Sequence, residues 1–471
     1  MTMLLFALLI SQSPASAKLH SLPLRRPPMS WFLVLLPLAL QAPDSEYAQR
    51  RARLMSEFSD GIVLLHARTA PASLGEPGFK QDANFLYFTG LPGQPAAILA
   101  MDGPRNEAIL FVPPAPSLFG SSVEGASLAP GADSAAKHGL SRVEAWEEFV
   151  PFVEKRIAEG TRKLYLDEAR NAEFPGAPEP MWPVSGEKLL WSRSVKEAFP
   201  TAELASVEEA IRALRWVKSK QEIEILREVA RTSASALLAG MRAVEPGVSQ
   251  RVSEVAIVSG CIEAGAKAPS FWPWTMSGRN AQVGELVRSF YDYDHLDREM
   301  KAGELVRMDV GCALRLYEGD VGRTIPVSGK FTPEQREAWE LLIRGYRAGL
   351  SAMKAGATLP SVMERARSKV ERAQRSLRSD YARRAAAAIL NGPLRGTWHI
   401  HGVGLDGGET GTDRLEAGSV IAFEPMFSVD ADAYYLEDMI LVTESGHEVL
   451  TRGLPYSASE IEQAMAGGAR P

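Results

Sequence analysis

The amino-acid sequence predicts an α/β (α+β) chain of two domains, and three observations carry that prediction. The chain has 471 residues, 45% hydrophobic and 23% charged, which is ordinary globular composition and enough length for two or three domains. Up to about residue 205, short apolar runs alternate with helix-like stretches, the pattern of an α/β unit. From Val207 the character changes: long helical stretches come first, then strand-like runs interrupted by single carboxylates. The predicted organisation is a leading segment 1–45, an amino-terminal domain 46–205, a second domain 206–460 and a tail 461–471.

In chain order, YAQRRARLMSEF (47–58) reads as a charged helix and GIVLLHA (61–67) as a strand. FLYFTG (85–90), AAILAM (96–101), EAILFVP (107–113) and KLYLD (163–167) read as further strands, with a helix over 143–160. The stretches 114–135 and 170–194 are rich in Pro, Gly and Ser and read as loops. Residues 207–244 are helical with an interruption at Ser219–Gln221, PGVSQ (246–250) breaks the pattern, and another helix spans about 249–265. SGRNA (277–281) reads as a turn before a strand-like segment. LVRMDVGCAL and LYEGDVGRTIPVSG are strands, Thr332–Ala355 and Leu359–Leu390 helical regions, and IAFEPMF and YYLEDMILVTESGHEVLT strands again.

A net charge of −6 gives no basic footprint for nucleic acid. The apolar runs at Met3–Ile10 and Trp31–Leu40 are too short to be stable membrane spans. The second follows Arg25 and Arg26 and makes a charged-then-apolar pair, so residues 1–45 read as an export signal, with a mis-assigned start and a cytoplasmic chain as the alternative. Cys261 and Cys312 show no CxxC or zinc spacing. The length argues against a disulfide scaffold, and two cysteines leave the redox compartment open.

Five residues in the last third draw the chemistry together: Asp309, Asp320, His401, Glu424 and Glu437. Each sits in an apolar or glycine-rich context, where an unpaired carboxylate is costly. One such acid has an ordinary explanation, a buried salt bridge to Arg307 or Arg323. Four of them with an imidazole suit a pair of divalent cations such as Mn²⁺, with Co²⁺, Zn²⁺ or Fe²⁺ also fitting oxygen and nitrogen donors. Two cations sharing carboxylates can activate water and polarise a carbonyl, which is hydrolase chemistry.

The order and surroundings of the five, RMDVG, YEGDVGRTIPV, HGVGLD, FEPM and LEDMILVT, resemble the pita-bread metallopeptidases. The upstream RRARLMSEF, GIVLL and FKQDANFLYFTGLPGQPAAIL resemble the amino-terminal domain of aminopeptidase P, and LRWVKSKQEIEILREVA resembles the helix opening its catalytic domain. The resemblance covers about residues 46–455 and points to the aminopeptidase P and prolidase group, because methionine aminopeptidases lack that first domain and creatinases do not keep the ligands. It implies a pita-bread fold and a Xaa-Pro aminopeptidase working through a hydroxide between two metals, with a Xaa-Pro dipeptidase or a metal-binding pseudo-peptidase as alternatives. The implied substrate is a peptide with proline second, and the implied assembly is a dimer or tetramer. Asp309 would bind one metal, His401 and Glu424 the other, and Asp320 and Glu437 would bridge them. Glu424 would also be the general base. Phe271, Trp272, Trp274 and Tyr434 are candidates for an apolar proline subsite.

The chain departs from the group at accessory positions. A histidine expected eight residues after Ser277 falls on Glu285, and a few inserted residues would move it only to Phe290. Histidines expected seven after and four before His401 fall on Gly408 and Thr397, and an arginine expected two before Glu437 is Tyr435. His295, His399 and Tyr435 can each donate a hydrogen bond and are the candidate replacements.

Overall fold

The computed structural model describes residues 45–467, apart from 70–78, 116, 119–120, 123–126, 168–185, 290–291 and 410. The segment up to residue 44 predicted as an export signal, most of the predicted loop 170–194 and Phe290 therefore lie outside the described residues.

Six strands lie side by side in the order Arg142–Ala145, Glu107–Val112, Ile98–Asp102, Gly61–His66, Lys163–Leu166 and Glu203–Ser206. Gly61–His66 runs antiparallel to Ile98–Asp102 and parallel to Lys163–Leu166. Its apolar run does not alternate because both faces are covered. Val63 and Leu65 join one apolar cluster, and Ile62 and Leu64 join another.

FLYFTG is a helix, Ala83–Thr89, and not the predicted strand. An all-apolar run has no period to read, and the ends decide. Asp82 caps it by accepting from the Phe85 N–H at 2.9 Å, and Gly90 stops it at φ 66°. The predicted helix 143–160 is a strand, a short 3-10 turn and a helix, Phe149–Ala158. Part of the predicted loop 170–194 belongs to the helix Gly186–Ala198.

The helices Glu208–Trp216 and Lys220–Arg242 meet at Ser219, which forms a reciprocal capping box with Glu222 and accounts for the interruption. The helix Gln250–Glu263 follows. A second sheet is antiparallel throughout: Trp274–Ser277, Leu305–Val310, Val321–Pro326, Asp432–Val442, Val420–Val429 and Trp398–Gly402, with His447–Val449 on the Asp432 strand. The SGRNA turn comes after a strand, not before one, and leads into the helix Val283–Ser289. The helices Pro333–Leu350, Leu359–Ala373 and Asp380–Asn391 pack with this sheet into one apolar core.

The predicted tail from 461 continues a capped helix, Ala458–Ala466, whose Ala458 and Ile461 are fully buried. Cys261 and Cys312, 51 residues apart, form a disulfide. It is a single staple between a helix and the segment after Asp309, which no sequence spacing reveals. No described helix is long and apolar enough to cross a membrane.

Candidate metal centre

Strand register assembles the site. Asp309 stands opposite Gly322, and Gly322 stands opposite Glu437. Phe423 faces Asp438 and Met426 faces Tyr435, which puts Glu424 opposite Glu437. His399 in turn faces Glu424. Directly opposed residues share a face of the sheet, and so do residues two apart on one strand. Asp309, Glu437, Glu424 and His399 therefore form one transverse row across that face. Asp320, two before Gly322, and His401, two after His399, lie beside the row. Gly322 leaves room in its middle: a Cβ there would come within 2.0 Å of the Tyr435 ring.

The side chains converge. The ligand atoms of Asp320, His401 and Glu437 lie within 4.8 Å of one another, as do those of His399, His401 and Glu424. His401 Nε2 is 3.3 Å from Glu424 Oε1, 3.6 Å from Asp320 Oδ2 and 3.7 Å from Glu437 Oε1. Its Nδ1 is 2.9 Å from the Gly402 carbonyl, which orients the ring and aims Nε2 at the acids. Tyr435 donates its hydroxyl to Glu437 Oε2 at 2.7 Å and Glu424 Oε2 at 3.1 Å. His399 Nδ1 is paired with Glu424 Oε1.

Burial and mutual repulsion push the carboxyls of Asp309, Asp320 and Glu437 above the usual range. Burial acts the same way on Glu424, but hydrogen bonds from His399 and His401 outweigh it and hold that carboxyl well below its usual value. Burial disfavours charge on His401, yet Glu424 and Glu437 raise it well above normal.

The residues fit a metal. Asp309 Oδ1 and Glu437 Oε1 are buried without a hydrogen-bond partner, an unfavourable state for a carboxylate that a cation relieves. The donors are carboxylate oxygens and imidazole nitrogens, the set preferred by first-row divalent ions. The salt-bridge alternative is not what forms. Arg323 lies on the opposite face, where it meets Asp438 at 2.9 Å, and neither it nor Arg307 forms an ion pair with Asp309 or Asp320.

Not every candidate arrives. His295 is exposed on the four-residue helix Tyr293–Leu296, outside the site-bearing sheet, and is not among the groups brought together. Residues 283–289 and 293–296 form two short helices between the strands Trp274–Ser277 and Leu305–Val310. Trp272 is 47% exposed and donates its indole N–H to Glu254 at 2.9 Å, not to the acid cluster. Tyr434 faces away from the row, stacked on Phe427 with its hydroxyl 3.0 Å from that of Tyr381. Trp274 stands opposite Asp309 on the site face, and Phe271 is half-buried near Gly407. Arg307, considered in the sequence only as a salt-bridge partner, is buried on the site face. Its position two before Asp309 on a strand was the available signal.

The fold and this donor set define a metallopeptidase-type site, and comparison with known proteins agrees. The chain matches Metallopeptidase family M24 over residues 224–444 and the Aminopeptidase P, N-terminal domain over 47–164. It is 25% identical to the Xaa-Pro aminopeptidase of Haemophilus influenzae over 90% of this chain and 97% of that one. It is 27% identical to that of Escherichia coli over 89% and 97%. Among solved structures, Pseudomonas aeruginosa aminopeptidase PepP superposes with a TM-score of 0.70 at 25% identity, covering 91% of this chain and 99% of that one. Escherichia coli aminopeptidase P with the inhibitor Pro-Leu gives 0.69 at 24%, covering 90% and 98%. Both domains are thus similar, in the same order, to the aminopeptidase P group of metallopeptidase family M24.

Proposed function

We propose that this protein is a metal-dependent Xaa-Pro aminopeptidase, releasing the amino-terminal residue of a peptide whose second residue is proline. The observation that carries the reading is the convergence of Asp320, His401, Glu424 and Glu437 on one face, with Asp309 in the same row. The relatives named Xaa-Pro aminopeptidase, matched along nearly their whole length, support it.

Asp309, Asp320, His401, Glu424 and Glu437 would hold two divalent ions, Mn²⁺ by preference. Such ions, when bound, supply Lewis-acid polarisation of the scissile carbonyl and an acidified water. Glu424 would be the general base: one oxygen meets His399 and the other Tyr435, contacts that would hold the carboxylate fixed to take a proton from the nucleophile. Its partners favour the charged form that a base requires. Tyr435 and His399 both contact Glu424 and are the proposed replacements for the missing accessory histidines and arginine. The acidic cluster attracts the substrate's free α-ammonium, and Trp274 and Phe271 offer an apolar wall for the proline ring.

The Cys261–Cys312 disulfide favours an oxidising compartment and so supports the export reading over the cytoplasmic one. Self-association as a dimer or tetramer is part of the proposal.

Glu285, Gly408, Thr397 and Tyr435 at the accessory positions favour one second reading, a peptidase fold that binds metal and peptide without efficient turnover. The test is hydrolysis of Arg-Pro-Pro, Ala-Pro and Ala-Ala-Ala by the purified protein, with and without Mn²⁺. Metal-dependent release of Arg from the tripeptide alone supports the aminopeptidase. Cleavage of Ala-Pro alone makes it a dipeptidase. Metal binding without cleavage replaces the proposal with the binding protein.

A further inference from the structure

Arg307 is 1% exposed, yet its Nε and Nη1 have no hydrogen-bond partner, and its Nη2 reaches only the Met276 sulfur at 3.7 Å. A buried guanidinium in that condition is unfavourable unless something else compensates its charge. Two features of the surroundings do. Arg307 lies two residues before Asp309 on the same strand, so it shares the face that carries four carboxylates. Its Cζ also sits 5.6 Å from the centre of the Tyr435 ring, within cation–π range.

The register locks this contact. Arg307 faces Thr324, and the Thr324 hydroxyl oxygen accepts the Tyr435 N–H at 2.8 Å. Arg307, Thr324 and Tyr435 thus form a second transverse row, next to that of Asp309, Gly322 and Glu437. The space left by Gly322 takes the Tyr435 ring, and the ring carries its hydroxyl onto Glu437 and Glu424. A cation therefore holds one part of a rigid phenol whose other end fixes the two carboxylates.

We infer that Arg307 and Tyr435 act as one unit in which Arg307 is the positioning residue: its guanidinium holds the Tyr435 ring, and the hydroxyl of that ring sets the Glu424–Glu437 pair. Arg307 also balances part of the cluster's negative charge. The kinetic half of this inference rests on the peptidase reading above; the metal-binding half does not.

The experiment compares Arg307→Met, Tyr435→Phe, the double variant and Arg307→Lys in the full chain. Metal-stripped protein is titrated with Mn²⁺ alone. Removing a cation beside four carboxylates should tighten Mn²⁺ binding about tenfold in Arg307→Met, while general loss of structure would weaken it. On a Xaa-Pro tripeptide, Arg307→Met should lower kcat about 10–100-fold at nearly unchanged KM, the signature of an interaction realised in the transition state. The double variant should be no worse than the poorer single one, since neighbours in one unit are not additive. Unchanged Mn²⁺ affinity in Arg307→Met overturns the inference whatever the kinetics, and so do strictly additive losses. If Arg307→Met does not fold, Arg307→Lys decides: it should keep the wild-type Mn²⁺ affinity but lose about tenfold in kcat, because an ammonium lacks the flat face that stacks on a ring. Unchanged kcat there overturns the inference. A wild-type protein that binds Mn²⁺ but cleaves nothing counts against the peptidase reading, and the titration still tests Arg307.

Discussion

Replacing Glu424 with Gln keeps the volume of the side chain and removes its basicity and charge. Three groups converge on that carboxylate: His399 at Oε1, His401 Nε2 at 3.3 Å from the same oxygen, and the Tyr435 hydroxyl at 3.1 Å from Oε2. If Glu424 is the general base, its loss removes a factor of about 10²–10⁴ in rate. Loss of a metal ligand adds to that. Tyr435→Phe provides the comparison, because it removes only the two hydrogen bonds at 2.7 and 3.1 Å. A hydrogen bond to a charged group contributes about 1.5–3 kcal/mol, so Tyr435→Phe should lose about 10–100-fold even if all of one bond's energy is felt in the transition state. With a base and a candidate metal ligand both lost, Glu424→Gln should therefore be slower than Tyr435→Phe on the same Xaa-Pro tripeptide at saturating Mn²⁺, the two ranges meeting only at about 10²-fold. Initial rates with metal content measured on the same samples separate loss of base from loss of metal. Equal and mild losses in the two variants would refute the assignment of Glu424 as base.

Gly322→Ala introduces a Cβ within 2.0 Å of the Tyr435 ring and 2.8 Å of the Met308 carbonyl, so it should lower stability by about 1–3 kcal/mol in denaturant melts and displace the Tyr435 hydroxyl, giving activity no better than Tyr435→Phe. Breaking the Cys261–Cys312 cross-link by the double change to Ser should lower stability by about 4 kcal/mol on the chain-entropy view of its 51-residue separation, read as a shift in urea midpoint; no shift would mean the native state is not tied there. Burial pushes the Glu409 carboxyl up, but Arg215 and Lys218 outweigh it and hold it down at about 2. A carboxyl depressed in the folded state stabilises above its unfolded value and loses that contribution as pH falls towards 2, so the stability gap between the wild type and Glu409→Gln should narrow by about 2 kcal/mol from pH 6 to pH 3. A gap independent of pH would show that Arg215 and Lys218 do not set that carboxyl.

The sequence alone named the candidate ligands and put the segments of Asp309, Asp320, Glu424 and Glu437 in strands, while the strand Trp398–Gly402 that carries His401 appeared only in the structure. An acid inside VRMDVG or VIAFEPMF is so unfavourable in a buried strand that its presence announces a cation or a partner. Alternation by two, read from Asp309 back to Arg307 and from Glu437 back to Tyr435, also fixes which side chains share a face once the segments are strands. The sequence suggested that the strands beside Asp309 and Asp320 are neighbours, as they are, but could not decide which other strands lie next to them. Only the tertiary structure set Asp309, Gly322, Glu437, Glu424 and His399 in one row, because the pairing of Gly322 with Glu437, which joins the two halves of that row across more than a hundred residues, is a property of packing. The same limit explains the misses. His295 was judged by its distance along the chain, but the chain coils there and leaves it exposed outside the sheet. FLYFTG was judged by composition, but Asp82 and Gly90 capped it as a helix. Cys261 and Cys312 were judged by spacing, yet only the packing of a helix against the segment after Asp309 brings their Cα atoms to 5.5 Å. Local chemistry is written residue by residue, whereas a site is a set of distances, and distances between remote residues exist only in the folded chain.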